Sequence, residues 1–197
     1  AALLRAQPSL RYLPRVQAEA RRAQATLPDA RLLTGAAASK PAVLDGMADA
    51  RFIYIAGHAT QDPDMPYRTF LPCAVAPTST DVRDARLELS DILARDLSGC
   101  ELVVLSNCRS GSGRTTRHTV GPSLADAFAD AGAQAVVATR WPLEDSEASA
   151  FMAGFVGHWR TGTQTEAWTA LATAQREGMD QSLAWLNYRL EFSVLPT

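Results

Sequence analysis

The chain has 197 residues, of which 47% are hydrophobic, enough to bury the core of one domain. Its 19 basic and 21 acidic residues give a formal net charge of -2, so no strong field is present to hold nucleic acid or an anionic membrane. Three cysteines, Cys73, Cys100 and Cys108, form neither an even disulfide framework nor a C-x-x-C pair. We therefore expect a single globular domain, 1–197, in a reducing cytoplasm, without nucleic acid or membrane partners.

From the start of the chain we expect no export signal. Residues 1–4 before Arg5 are too few for the apolar region of a secretory signal, and no apolar run approaches the length of a membrane span. Because the chain begins with Ala1 rather than Met, we expect it to be a fragment or processed form of a longer polypeptide.

The first third of the chain predicts two helices around a short strand. Apolar residues recur at helical spacing over 12–27, which predicts an amphipathic helix. Residues 30–34 are a short strand candidate. Ser39 followed closely by Pro41 is typical of an N-cap and a first turn, and predicts a helix to about Met47.

Three continuous apolar runs predict the centre of a sheet. They show little alternation, as expected for parallel strands buried on both faces, and they lie at 52–56, 102–105 and 135–138. Helical patterns follow at 123–131, closed by Gly132, and at 146–159 and 165–176. Right-handed crossovers place such helices on both faces, so the predicted fold is a three-layer α/β/α sandwich with a mainly parallel central sheet.

Two segments depart from this pattern. Residues 62–89 contain four prolines and two strand candidates, 70–76 and 86–89, which predict a hairpin over the end of the sheet. Residues 111–121, GSGRTTRHTVG, are polar with no period and predict a mobile loop.

Two predicted strands run directly into residues capable of covalent chemistry. His58 follows the strand at 52–56, and Cys108 follows the strand at 102–105. The carboxyl ends of parallel strands meet at one edge of a sheet, which would bring the thiol and the imidazole together. A cysteine nucleophile needs a neighbouring base because the thiolate is the reactive form. Cys108 follows His58 by 50 residues, a separation close to that in caspases, so we predict Cys108 as nucleophile and His58 as general base.

Several segments together resemble the CHAT proteases, bacterial relatives of caspases and separases. They are IYIAGHA at 53–59, ELVVLSNCRSG at 101–111, GPSLADAFADAGAQAVVATRWPLED at 121–145 and TEAWTALATAQREG at 165–178. The resemblance implies a caspase-like fold and peptide-bond cleavage by a Cys108/His58 dyad, with no metal or other cofactor. It also implies an oxyanion hole formed by the backbone N–H groups of Cys108 and Ala59. Many relatives carry Gly where this chain has Ala59.

The resemblance extends to substrate and partners. Separases have a Trp followed closely by an Asp, and that Asp receives a P1 arginine. By this resemblance, Asp145 belongs to the P1 pocket, with Trp141 and Glu144 beside it. The resemblance therefore implies cleavage of proteins or peptides after Arg or Lys. Several relatives are activated through TPR repeats, and some act in bacterial defence. An Asp near a helix start is also a common N-cap, and Trp141 is expected either in the core or in the pocket wall.

Other interpretations remain open at this stage. The fold could be a catalytically silent interaction module, or a nucleotide binder using the loop at 111–121, although neither a Walker A nor a Rossmann pattern is present. Cys73 and Cys100 are expected to be packing residues, and His118 and His158 to be surface groups. A protease that prefers basic residues could also cut its own loop at Arg114 or Arg117.

Overall fold

The computed structural model describes residues 13–27, 30–60, 69–75, 79, 81–107, 122–141, 144–159, 164–179 and 188–192. These residues contain six strands and six helices. The strands are β1 Phe52–Gly57, β2 Phe70–Pro72, β3 Arg86–Glu88, β4 Leu102–Asn107, β5 Ala135–Thr139 and β6 Tyr188–Phe192. The helices are α1 Val16–Thr26, α2 Lys40–Met47, α3 Leu89–Leu93, α4 Leu124–Asp130, α5 Asp145–His158 and α6 Gln164–Gly178. Short 3₁₀ segments lie at Gly35–Ala37 and Val82–Ala85.

The central sheet has the strand order β1-β4-β5-β6. β4 is parallel to both β1 and β5, which confirms the predicted parallel sheet. β6 is antiparallel to β5, with Thr139 opposite Tyr188. This strand is absent from the predicted elements, although its sequence YRLEF alternates large apolar and charged residues as a strand does.

Helices cover both faces of the sheet, which confirms the three-layer α/β/α architecture. On the first face, Val103, Leu105 and Val136 are buried under α2, α3, α4 and the hairpin. On the second face, Val104 and Val137 are buried under α1, α5 and α6. Each central strand is therefore apolar on both sides, which is why its sequence shows no alternation.

The helix α4 begins and ends as the sequence predicts. The Ser123 hydroxyl accepts a hydrogen bond from the Asp126 N–H at 3.1 Å, and the Ser123 N–H donates to the Asp126 carboxylate at 2.6 Å. This reciprocal pair satisfies backbone N–H groups that the first turn leaves free. Gly132 then ends the segment at φ +107°, a conformation that residues with a Cβ rarely adopt.

The strand predicted at 30–34 is wrong, since these residues form no strand. The segment packs toward α2 instead of pairing with β1: Arg31 forms an ion pair with Asp45 at 3.3 Å. A few residues later the chain is bound to the hairpin, where the Ala74 N–H donates to the Ala38 carbonyl at 2.7 Å. The predicted hairpin is confirmed as β2 paired with β3, but its first strand ends at Pro72 instead of residue 76 and its second strand ends at Glu88.

Leu89 begins the short helix α3 instead of continuing β3. The Glu88 N–H donates to the Asp91 side chain at 2.8 Å, and Asp91 also binds Lys40 of α2 at 2.6 Å. These contacts turn the chain into a helix at the point where the sequence predicted one more strand residue.

A buried carboxyl group lies where α1 packs on the second face. Glu19 is 4% exposed, and its Oε1 accepts a hydrogen bond from the Tyr54 hydroxyl at 2.7 Å. Burial raises the pKa of Glu19, against the opposing effect of hydrogen bonds from Tyr54 and Ser106. The ionised carboxylate is therefore disfavoured at this position.

Gly132→Ala is expected to lower the free energy of unfolding by about 2 kcal/mol or more. The new Cβ would lie 2.9 Å from the Ser98 nitrogen, at a backbone angle that alanine rarely adopts. Gly46→Ala is the matched control, because that glycine lies inside α2 and its nearest neighbour, Leu33 Cδ1, would be 3.8 Å away. The control should be as stable as the wild type or up to about 1 kcal/mol more stable. Urea titrations in which both variants lose equal stability would contradict the prediction.

Glu19→Gln is expected to increase the free energy of unfolding at pH 7 and to change it little near pH 4. The folded pKa lies above the unfolded value of 4.5, so the folded state binds more protons and wild-type stability falls as pH rises through this window. Gln does not titrate and can still accept from Tyr54. Urea titrations across this pH range test it, with the exposed Glu144→Gln as control. A pH-independent difference between wild type and Glu19→Gln would refute it.

Candidate active site

The strands that lead to the two predicted catalytic residues are direct neighbours. β1 and β4 pair in parallel from Phe52 opposite Leu102 to Gly57 opposite Asn107. His58 therefore follows one member of the last pair. Cys108 follows the other member in sequence and lies outside the described residues, as do the loop at 111–121 and His118.

His58 is held from both sides along the chain. Gly57 before it has φ +147°, a conformation that favours glycine and lets the chain leave the strand in a new direction. Two residues after it, Thr60 exchanges two backbone hydrogen bonds with Phe70 of β2, both at 3.0 Å. Ala59 packs against the buried residues on the first face of the sheet. The half-buried imidazole is thus carried on a two-residue connection between fixed points.

A cleft of about 470 Å³ runs along β1 and reaches His58. Its walls are formed by α1, the segment at 31–35, α2 and the hairpin, and its lining includes Val16, Leu33, Val43 and Leu71. The segment at 31–34 forms no strand and contributes to one wall of the cleft. Its mostly aliphatic wall suits the apolar parts of a ligand, with the imidazole as a polar group at one end.

Hydrogen bonds link the carboxyl ends of three strands just below this position. The Thr139 hydroxyl at the end of β5 donates to the backbone carbonyl of Asn107. The Asn107 side-chain Nδ2 donates to the backbone carbonyl of His58 at 3.5 Å. Thr139 and Asn107 are 2% and 3% exposed. Neither residue was predicted to belong to the site, because a single polar residue at the end of a strand carries no specific signal.

Asp145, the predicted specificity residue, is the first residue of α5, and Glu144 occupies the N-cap position. Asp145 is therefore not the N-cap of α5, so the alternative interpretation of this residue as an N-cap is wrong. Its Oδ2 accepts a hydrogen bond from the backbone N–H of Arg15 at 3.1 Å, which joins the start of α1 to the start of α5. Glu144 is exposed and makes no side-chain capping bond.

Trp141 follows β5 and is 38% exposed. Its expected place in the core is wrong, since the ring remains substantially open to solvent. The position after β5 leaves the other expected role, a wall of the substrate pocket, as a prediction.

The remaining cysteines of the sequence are packing residues, as expected. Cys100 is 1% exposed, and burial raises the pKa of Cys100 and of Cys73 to about 11 in each case. A thiol with so high a pKa is a poor source of thiolate near neutrality. His158 lies on the surface as expected, 2.8 Å from Glu177.

Within the described residues, no group of three or more His, Cys, Asp or Glu side chains is arranged to hold a metal ion. Among the helices of the described segments, none combines the length and apolar character that a membrane span requires.

Comparison with known proteins identifies the family. The family model of the CHAT domain matches residues 2–185, which confirms the resemblance inferred from the strand-end motifs. No curated protein matches the chain significantly. The chain belongs to the CHAT domain family, whose members are related to the caspase-like proteases.

Proposed function

We propose that this chain is a cysteine endopeptidase in which Cys108 is the nucleophile and His58 the general base. The observation that carries the proposal is the register of β1 and β4, which makes Gly57 and Asn107 the last paired residues. The two reactive residues come next on these two strands, at the edge of a parallel sheet where reacting groups collect.

Covalent geometry limits how far apart these residues can be. Neighbouring strands lie about 4.8 Å apart, and consecutive Cα atoms about 3.8 Å apart. One residue beyond the Gly57–Asn107 pair, the two Cα atoms are therefore separated by at most about 12 Å. This upper limit favours a dyad, because side chains that point toward each other cover much of such a distance.

The proposed reaction uses the two groups in turn. His58 removes the proton from the Cys108 thiol, and the thiolate sulfur forms a bond to the carbonyl carbon of the scissile peptide. The carbonyl oxygen becomes an oxyanion, which accepts hydrogen bonds from the backbone N–H groups of Cys108 and Ala59. His58 then donates its proton to the leaving amine as the C–N bond breaks. Water, deprotonated by His58, hydrolyses the thioester and releases the acid product and the free thiol.

We also propose that the P1 pocket is acidic and accepts Arg, or less well Lys. The segment that contains Trp141, Glu144 and Asp145 leaves β5, the strand next to β4, from the same edge of the sheet. Asp145 uses Oδ2 for the Arg15 N–H, and a carboxylate has further lone pairs that can accept a guanidinium. A protein or peptide with a basic residue before the cleaved bond is the proposed substrate.

Cys108→Ala and His58→Ala are each expected to lower kcat/KM about 10⁴-fold on a peptide with P1 Arg, since each variant lacks one member of the dyad. Cys100→Ala is the matched control and should retain activity, because that buried thiol precedes the amino end of β4, whereas Cys108 follows its carboxyl end. Labelling by a thiol-reactive peptide electrophile should disappear in Cys108→Ala and decrease in His58→Ala. Cleavage by Cys108→Ala at the wild-type rate would refute the proposal. A wild-type chain that cleaves no peptide would favour a catalytically silent interaction module.

The P1 preference is tested with matched peptides that carry Arg, Leu or Asp before the cleaved bond. The Arg peptide is expected to be cleaved fastest. Asp145→Asn should lower its kcat/KM by about 10- to 100-fold, the loss of one charge-assisted hydrogen bond, with little change for the Leu peptide. Glu147→Gln, in the first turn of the same helix, should leave the ratio unchanged. Faster turnover of a non-basic peptide by the wild type would show that the pocket is not acidic.

A further inference from the structure

The side chain of Asn107 connects the strand that leads to Cys108 with the backbone of His58. Its Nδ2 donates to the His58 carbonyl at 3.5 Å, and its own carbonyl accepts from the Thr139 hydroxyl. We propose that Asn107 is a positioning residue, which fixes the backbone of His58 relative to the end of β4, and that Thr139 supports it from β5. This inference rests on the proposed Cys108/His58 dyad.

The chemistry of the partners sets the orientation of the Asn107 amide. A backbone carbonyl only accepts hydrogen bonds, so the amide nitrogen must face His58 and the amide oxygen must point elsewhere. Because the Thr139 hydroxyl binds the backbone carbonyl of Asn107, the two contacts hold different parts of one residue. Asn107 thereby links the end of β5 to the backbone of the catalytic base.

The Asn107 side chain is a polar group in a buried, largely apolar position. It is 3% exposed, and its Oδ1 has no hydrogen-bond partner among the described residues. A buried acceptor without a partner destabilises the folded state, whereas an apolar side chain of similar size would not. The neighbours on the same face of β4, Val103 and Leu105, are such apolar residues. A polar side chain thus lies among apolar neighbours directly before the proposed nucleophile.

The Asn107 amide contacts the connection that leaves β1 at its carboxyl end. β1 ends at Gly57, and Thr60 forms two backbone hydrogen bonds with Phe70. His58 and Ala59 lie between these two fixed points, and the Asn107 amide contacts this span at the His58 carbonyl. Holding that carbonyl restricts the backbone angles on either side of it, and hence the direction of the imidazole. A displacement of about 1 Å in such a group lowers the rate by about 10²-fold.

Asn107→Leu is the first test, because Leu has the same number and branching of side-chain heavy atoms and lacks both polar atoms. We expect kcat to fall about 10- to 100-fold on the P1 Arg peptide while KM stays within about twofold. The melting temperature should be unchanged or higher, because the unpartnered oxygen is gone and the half-buried His58 carbonyl can bind water. A purely structural role would instead lower the melting temperature. The buried hydroxyl variant Ser149→Ala, on α5, is the control.

Thr139 supplies a matched pair that does not depend on how Asn107→Leu folds. Thr139→Val keeps the shape and loses the hydroxyl, so kcat should fall in the same direction as in Asn107→Leu. Thr139→Ser keeps the hydroxyl and should retain most of the wild-type kcat. Equal kcat values for Thr139→Val and Thr139→Ser would overturn the supporting role of Thr139.

The pH profile of Cys108 alkylation separates positioning from other effects. A neighbouring imidazolium keeps a thiol ionised well below its ordinary pKa of about 8.5, so wild-type Cys108 should react with iodoacetamide at pH 6, as followed by peptide mass spectrometry. In Asn107→Leu, the pH at the inflection of the alkylation profile should shift toward the value found in His58→Ala. Wild-type kcat and a wild-type profile in Asn107→Leu would overturn the inference, and so would a loss of kcat with an unchanged profile. Cleavage by Cys108→Ala would instead refute the dyad itself.

Discussion

The parallel pairing of β1 with β4 is the constraint on which the rest of the structure depends. It is continuous over the whole of both strands, and it ends at the residues that precede His58 and Cys108. A shift of one residue would turn every side chain of one strand to the opposite face. Both faces of β4 are buried, so such a shift would leave apolar side chains mismatched with the helices on each side. Packing of the core therefore also fixes where the two strands end relative to each other along the strand direction.

Polar contacts mark the carboxyl ends of these strands on both faces. On the first face, Asn107 contacts the backbone of His58 and is bound by Thr139. On the second face, the Glu19 carboxyl accepts from Tyr54 and lies close enough to Ser106 for a hydrogen bond that lowers its pKa. In a low-dielectric interior such groups are tolerated only with specific partners. β4 is thus apolar from Leu102 to Leu105, and polar contacts begin at Ser106 and Asn107, directly before the proposed nucleophile.

Much of the fold could be predicted from the sequence because its strongest signals are local. The strands β1, β4 and β5 were visible as unbroken apolar runs, and α4 was visible from Ser123 to Gly132, where a capping pair and a glycine mark both ends. The segment at 30–34 has the composition of a strand, but its partners are set by tertiary contacts of Arg31 and Ala38 that no local pattern reports. α3 was missed although its capping contact between Glu88 and Asp91 is local, because its five residues are too few to show a helical period.

The candidate site was only partly predictable for a related reason. The position of His58 followed from the order of strand and glycine in the sequence. The role of Asn107 depends on a contact between neighbouring strands, and Glu19 on α1 gave no sign of being buried, because charged residues on an amphipathic helix usually face solvent. Asp145 bonds to Arg15, 130 positions away in the chain, a pairing that spacing alone does not reveal.

The placement of β6 has a consequence for biosynthesis. This strand covers the outer edge of β5, yet of all the described elements it leaves the ribosome last. Until then Ala135–Thr139, an uncharged run rich in alanine and valine, presents unpaired backbone groups to other nascent chains. Between synthesis of β5 and arrival of β6, this edge of the sheet therefore lacks the neighbour that later covers it.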